Sequence, residues 1–126
     1  MAVQEREPSG PTFTSELGLE PERLDDGVAR VRLVASDRHL NGHGTVHGGV
    51  IASLVDVAMG TAVVAADAEA HPVTIEMKVT YLEPGMPGEL EAVAKVRKHG
   101  RRVSIVEAEV TQEGELIAHA ISTFTS

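Results

Sequence analysis

The chain of 126 residues contains no cysteine and no tryptophan, and its only aromatic residues are two phenylalanines and one tyrosine. The absence of cysteine excludes a disulfide framework, a thiol nucleophile and a zinc site with thiolate ligands. Because aromatic rings are scarce, valine, alanine, leucine and isoleucine must build the core, which suits a sheet packed on a helix. The length predicts a single domain over residues 1–126 that buries about two-thirds of its unfolded surface.

Positive charge is also scarce, since the chain has 11 lysine and arginine residues and 19 aspartate and glutamate residues, which gives a net charge of −8. This imbalance argues against nucleic-acid and membrane partners, which both require a basic surface. Residues 1–11 are polar, contain prolines and lack the apolar core of a signal peptide. We therefore expect a flexible tail at the N-terminus and a cytoplasmic protein.

Alternation of apolar and polar residues predicts a series of strands. The segments that alternate are 28–34, 73–81, 90–96, 103–110 and 116–124, and residues 13–19 predict a short strand or one turn of helix. Turns are expected at His99–Gly100 and Glu113–Gly114. The predicted order is one strand, a long helix, and four strands in a meander. No glycine-rich loop follows a strand, which argues against a dinucleotide-binding fold.

Residues 48–66, GGVIASLVDVAMGTAVVAA, form an apolar run whose only charge is Asp56. Three glycines, the central aspartate and the absence of basic anchors argue against a membrane span. A helix that is apolar nearly all round must be buried nearly all round. A curved antiparallel sheet wrapped around one long helix satisfies that requirement, so the sequence predicts an α+β fold of this kind.

Asp56 lies on a ridge of small residues with four-residue spacing along this helix, formed by Gly48, Ala52, Asp56 and Gly60. The ridge either packs tightly on the sheet or faces a partner subunit or ligand. We favour the second interpretation, because a tightly packed sheet face is a costly place for a carboxylate without a partner. In that position Asp56 could act as a general base or as a nucleophile.

Gly48 and Gly49 begin the same helix, so their amides belong to the unpaired N–H groups that suit a developing oxyanion. Eight residues separate Gly48 from Asp56, which corresponds to about 12 Å along one helix. A single reacting carbonyl cannot contact both. Two antiparallel helices related by a two-fold axis would bring Gly48 of one chain near Asp56 of the other, so we predict a site shared across a dimer.

The run NGHGTVHGGVIASLVDVAMG, followed by VTIEMKVTYLEPG, resembles the phenylacetate-degradation branch of the hotdog-fold acyl-CoA thioesterases. The similarity extends over roughly residues 15–126. Its core is N-x-x-G-x-x-H-G-G with an aspartate seven residues later, a pattern much more specific than a lone Gly-Gly pair. The resemblance implies a homodimer or a homotetramer built from dimers.

The same resemblance implies roles for individual residues. Asp56 would be the base or nucleophile and the Gly48 amide would polarise the thioester carbonyl. Asn41 would hold the thioester or the attacking water, His47 would support the carbonyl site, and Thr74 would help to place water. Each has a structural alternative: Asn41 as a loop support, His47 as a helix cap, and Thr74 as a β-branched strand former.

Binding residues are predicted around this motif. Gly49 would contact the substrate and His43 would line the entrance, unless it is simply exposed to solvent. Arg101 and Arg102 belong to a basic cluster at the expected His99–Gly100 turn. They either contact the phosphates of coenzyme A or only charge a solvent-facing hairpin.

Together these features predict an enzyme that hydrolyses small acyl- or aryl-CoA thioesters, with phenylacetyl-CoA among the candidates. We expect no metal, because no histidine pair has ligand spacing, and no cofactor beyond the coenzyme A of the substrate. The alternatives are a hotdog hydratase or dehydratase, a non-catalytic acyl-CoA-binding module, and an interaction domain without a ligand.

Overall fold

The computed structural model describes residues 10–126, so the part of the predicted tail at residues 1–9 lies outside the described residues. A short helix α1 and two strands open the chain, a long helix α2 follows, and four strands close it. Their bounds are α1 Phe13–Leu17, β1 Glu20–Asp25, β2 Val28–Ala35, α2 Gly48–Ala66, β3 Thr74–Tyr81, β4 Gly88–His99, β5 Val103–Gln112 and β6 Glu115–Thr125.

The six strands form one antiparallel sheet in the order β1-β2-β4-β5-β6-β3. The prediction of a four-strand meander was therefore wrong. Strands β4, β5 and β6 do follow one another, but β3 pairs with β6 at the far edge and β4 pairs with β2. The physical reason is that alternation identifies the buried face of a strand and carries no information about its neighbours.

Strand β1 was missed by the sequence analysis. Its six residues, EPERLD, are all exposed, so they show no alternation. They form a strand because β2 pairs with them through a tight turn in which Gly27 has a φ of +68°. In the region 13–19, where a strand or helical turn was expected, the helical turn α1 is present, and Thr12 caps it.

The core lies between α2 and the concave face of the sheet. Helix α2 buries Ile51, Leu54, Val55, Ala58, Met59, Ala62 and Val63 together with Val50 at its start. The facing strand residues are small or branched, as in β2 and β5, where Ala29, Val31, Val106 and Ala108 are almost completely buried. Helix α2 is long and apolar enough to cross a membrane by length and composition. Here its most apolar face packs on the sheet.

The opposite side of α2 is less covered than predicted. Four residues on this side of the helix are half-buried, and within residues 10–126 nothing covers them completely. They form the accessible strip of α2, which consists of Ala52, Asp56, Gly60 and Thr61. The sheet order explains this, because the two edge strands β1 and β3 curl around the helix without meeting.

A β-bulge changes the face of the first residue of β3. Thr74 pairs with Phe124 and Glu76 pairs with Thr123, which leaves Ile75 as the extra residue. Ile75 is 53% exposed, whereas uninterrupted alternation predicted that it would share the buried face with Met77. The bulge instead turns Thr74 toward α2, which brings it to Asp56.

Candidate active site

Asp56 occupies the middle of α2 and is half-buried. Its carboxylate accepts a hydrogen bond from the Thr74 hydroxyl, with 2.6 Å between Thr74 Oγ1 and Asp56 Oδ1. A short bond from a neutral hydroxyl to a carboxylate is charge-assisted and stronger than a bond between two neutral groups. The two residues predicted to activate and place water are thus in direct contact, and no donor within residues 10–126 bonds the other carboxylate oxygen.

The start of α2 is capped by His47, whose ring Nδ1 accepts a hydrogen bond of 2.8 Å from the Gly49 amide. The Gly49 amide, which was predicted to contact the substrate, therefore already donates to the His47 ring. No acceptor in residues 10–126 bonds the Gly48 amide, so that group keeps its donor at the positive end of the helix. Since Nδ1 accepts, any proton of a neutral His47 ring is on Nε2.

Tyr81, which the sequence analysis did not assign to the site, covers this helix start. Its hydroxyl donates to the Gly48 carbonyl at 2.7 Å. A Cβ atom on residue 48 would make an ordinary contact of 3.4 Å with the Tyr81 ring, so the packing there does not require a glycine. The signal available in the sequence was that Tyr81 lies seven residues after Thr74, on the alternating strand that follows the motif.

Asn41 organises the loop before the helix. Its side-chain oxygen accepts from the amides of His43 and Thr45, and its side-chain nitrogen donates to the Thr45 hydroxyl at 2.8 Å. These three bonds are the loop-supporting role that was weighed as an alternative to substrate contact. His43 is exposed on the same loop.

His39 is a second residue that sequence analysis did not single out as important. It is 1% exposed, its Nδ1 accepts from the Ser36 amide at 2.9 Å, and its Nε2 donates to the Leu17 carbonyl at 2.8 Å. Its own carbonyl accepts from the His47 amide. A neutral ring thus ties α1 to the segment that positions the helix start.

Not all predicted site residues come together in one chain. Asp56 contacts Thr74, whereas Gly48 lies eight residues earlier on the same helix, about 12 Å away by helix geometry. Arg101 and Arg102 are exposed in the turn between β4 and β5, and their side chains form no ion pair with a residue in the described range. Between residues 10 and 126 there is also no group of three His, Asp or Glu side chains arranged to hold a metal ion.

Comparison with known proteins identifies the family of this architecture. The family model described as Thioesterase superfamily matches residues 43–118. A conserved protein from Pseudomonas aeruginosa has a solved structure that is 40% identical, with a TM-score of 0.88 over 91% of this chain and 93% of that chain. The PaaI protein from the phenylacetic acid degradation operon of E. coli is 28% identical, with a TM-score of 0.82 over 89% of this chain and 81% of that one.

Curated relatives agree with the structural ones. The medium/long-chain acyl-CoA thioesterase YigI of Salmonella typhimurium is 30% identical, covering 89% of this chain and 83% of its own. An uncharacterised protein of Mycobacterium tuberculosis is 33% identical over 88% of this chain, which spans 39% of that relative's length. The predicted fold, an antiparallel sheet around one long helix, is confirmed as the hotdog fold, and the chain belongs to the Thioesterase superfamily.

Proposed function

We propose that this protein is an acyl-CoA thioesterase that hydrolyses acyl- or aryl-CoA thioesters to the free acid and coenzyme A. The observation that carries the proposal is the half-buried carboxylate of Asp56, the one charged residue of α2, which the Thr74 hydroxyl of β3 holds at 2.6 Å. Membership of the Thioesterase superfamily and similarity to an acyl-CoA thioesterase of Salmonella typhimurium support the reaction class.

In the proposed reaction a water oxygen attacks the thioester carbonyl while Asp56 accepts the water proton. The carbonyl oxygen becomes an oxyanion that the Gly48 amide stabilises. The tetrahedral intermediate then collapses, the carbon–sulfur bond breaks, and the proton on Asp56 passes to the departing thiolate of coenzyme A. The alternative is direct attack by the Asp56 carboxylate, which gives a mixed anhydride that water then hydrolyses.

The distance along α2 supports a site formed by two chains. One carbonyl cannot reach Asp56 and Gly48 of the same helix, so we propose a homodimer, alone or paired into a tetramer, in which one protomer supplies Asp56 and its partner supplies the Gly48 amide. Asn41 and His47 would then shape the loop and cap that present this amide.

The remaining assignments concern coenzyme A, which is part of the substrate; no other cofactor or metal is proposed. Arg101 and Arg102 are exposed cations that form no ion pair within residues 10–126, in a protein of net charge −8. We propose them as contacts for the coenzyme A phosphates. His43 and Gly49 would lie at the entrance beside the capped helix start. The cytoplasmic location stays a prediction.

The test is a panel of acyl-CoA substrates given to the wild type, to Asp56→Asn and to Glu109→Gln, an exposed carboxylate on β5. Loss of a general base is expected to lower kcat by about 100-fold or more, with the fold retained by circular dichroism. Glu109→Gln should hydrolyse the panel at the wild-type rate. Turnover that survives Asp56→Asn unchanged contradicts the mechanism, and binding of acyl-CoA without turnover by the wild type favours a binding module.

A further inference from the structure

Helix α2 begins with two adjacent glycines, which make a weak first turn. Neither Gly48 nor Gly49 has a positive φ, and glycine in a helix is destabilising relative to alanine. The packing at residue 48 does not require a glycine either, since a Cβ atom there would make an ordinary contact. The missing side chain does leave the Gly48 amide open to a ligand, so other groups have to hold the turn that carries this donor.

Two side chains hold one peptide group of this turn, at its opposite ends. The carbonyl oxygen of the peptide between Gly48 and Gly49 accepts a hydrogen bond of 2.7 Å from the Tyr81 hydroxyl. The N–H of the same peptide donates to Nδ1 of His47 at 2.8 Å. A hydroxyl that donates to the carbonyl polarises the peptide and strengthens the bond that its N–H makes. Tyr81 therefore supports the histidine cap as well as the peptide.

The peptide between His47 and Gly48 carries the open donor. Its carbonyl accepts from the Val50 amide at 2.9 Å and from the Ile51 amide at 3.3 Å, whereas no acceptor within residues 10–126 bonds its N–H. The direction of the Gly48 N–H thus depends on whether the first turn keeps its helical shape. The peptide that Tyr81 holds lies inside that turn, between the open donor and the amides that bond the His47 carbonyl.

The need to satisfy polar groups does not explain the Tyr81 bond. The start of a helix leaves N–H groups without partners, but its carbonyls are paired, and regular helix geometry pairs the Gly48 carbonyl with the amide of residue 52. Tyr81 is 51% exposed, so water is available to its hydroxyl. A hydrogen bond that neither group needs is explained best by the orientation that it fixes.

The sheet fixes the position of Tyr81. It is the last residue of β3 and pairs there with Ala118 of β6. Its ring lines a depression of about 290 Å³ together with Gly48, so the donor stays accessible beside it. Strand β3 thus supports both groups of the proposed mechanism, because Thr74 at its first residue holds Asp56 and Tyr81 at its last residue holds Gly48.

We infer that Tyr81 is a positioning residue, whose hydroxyl holds the first turn of α2 so that the Gly48 N–H is oriented toward the developing oxyanion before the substrate binds. The inference rests on the proposed thioesterase function and adds to it a residue that acts through Gly48. A donor that is oriented in advance stabilises the transition state more than the bound thioester. Loss of the Tyr81 hydroxyl should therefore lower kcat and leave KM unchanged.

The test compares the wild type with Tyr81→Phe, which keeps the ring and removes only the hydroxyl, on a panel of acyl-CoA substrates. We expect kcat to fall by about 10-fold, a part of the loss that removal of an oxyanion donor causes. KM and the circular dichroism spectrum should stay as in the wild type. Ser53→Ala is the matched control, because the Ser53 hydroxyl donates to the next carbonyl, that of Gly49, at 2.8 Å. It should retain the wild-type kcat.

Several results would overturn the inference. A higher KM at unchanged kcat in Tyr81→Phe would make Tyr81 a substrate contact. An equal fall of kcat in Ser53→Ala would mean that any hydroxyl on the first turn has this effect. A changed oligomeric state in Tyr81→Phe would make the residue part of a contact between subunits.

Hydrogen exchange followed by NMR without substrate separates this inference from the proposed reaction. In Tyr81→Phe the Gly49 amide should exchange about 5-fold faster than in the wild type, because its peptide loses one of the two bonds that hold it. The Asp67 amide at the other end of α2, which donates to the Val63 carbonyl, should not change. If the wild type hydrolyses no acyl-CoA and Gly49 shows this effect, the proposed reaction is wrong and Tyr81 still positions the Gly48 donor. If Gly49 exchanges at the same rate in both proteins, the inference fails whatever the activity.

Discussion

At the scale of single residues, the candidate site depends on one hydrogen bond between two elements. Asp56 lies on a helix whose other side chains carry no charge, and Thr74 supplies a hydroxyl from the edge strand at 2.6 Å. The bond fixes the carboxylate rotamer and satisfies one of its acceptor sites. Thr74 therefore acts on the orientation of Asp56, whatever part it has in placing water.

Replacement of Thr74 by valine keeps the branched shape and removes the hydroxyl. Hydrogen bonds to charged groups contribute about 1.5–3 kcal/mol, so kcat in Thr74→Val should fall by about 10-fold or more. Thr74→Ser keeps the donor and should retain most of the rate. Steady-state kinetics on a thioester measures both variants, and equal activity of Thr74→Val and Thr74→Ser would show that the hydroxyl is not needed.

The site residues differ in how far sequence could assign them. The motif predicted Asp56 and Gly48 because a charge in an apolar helix and a glycine at its start are visible locally. The contacts of Asn41 and His47 were open, since the same side chains suit a ligand or a loop, and in the structure they bond the backbone around them. Tyr81 was missed because its contact with Gly48 spans 33 residues of sequence.

At the scale of elements, period-two alternation predicted the five strands after residue 27 and the apolar run predicted α2, with bounds that differ by a few residues. It could not predict β1, which exposes every residue, or the position of β3 at the sheet edge, which depends on long-range pairing. The bulge at Ile75 could not be predicted from alternation either. It shows only in the pairing of β3 with β6, yet it decides that Thr74 faces α2.

The convex face of the sheet carries an ion pair that makes stability depend on pH. His119 on β6 donates from Nε2 to Glu107 on β5 at 3.0 Å, and Arg97 on β4 lies 3.0 Å from the other carboxylate oxygen. The hydrogen bond from His119 is the largest cause, and with the charge of Arg97 it outweighs desolvation and lowers the pKa of Glu107 below its ordinary value of 4.5.

A carboxylate with a lowered pKa stabilises the folded state above the pKa of the unfolded chain and loses that contribution as pH falls through the folded value. Near neutral pH the free energy of unfolding of the wild type should therefore exceed that of Glu107→Gln. The difference should be about 1 kcal/mol or less, because the group is exposed. This difference should decline as pH falls below 4.5 and disappear once the pH is below the lowered pKa of Glu107. Melting curves of both proteins across this range, with Glu109→Gln as the control, measure it. A difference that is constant with pH would mean that charge is not the cause.

At the scale of the whole molecule, the hotdog fold separates the two groups that the proposed mechanism needs together. Helix α2 begins at the Gly48 donor and carries Asp56 two turns later, and the wrapped sheet holds both from behind. A rigid helix keeps them about 12 Å apart, so no bending of one chain joins them. The accessible strip of α2 is where a second chain has to contribute if the site is to be complete.

Complementation between two inactive variants tests this shared site. Asp56→Asn removes the base, and Gly48→Pro removes the amide donor at a first helical position where proline is tolerated; the preceding His47 has the extended ψ of 136° that proline requires. Each variant alone should lose about 100-fold or more in kcat. Gly48→Ala keeps the amide and the same contact with Tyr81, and so controls for the added Cβ.

Each mixed dimer of these variants has one site with both mutations and one site with neither. Random pairing makes half of the dimers mixed, with one intact site of two, so co-expression should restore about a quarter of the wild-type rate. Co-expression of Asp56→Asn with wild type gives the scale for that comparison. If both groups acted within one chain, every site in the mixture would carry a mutation, and the rate would stay at the level of the two variants measured separately.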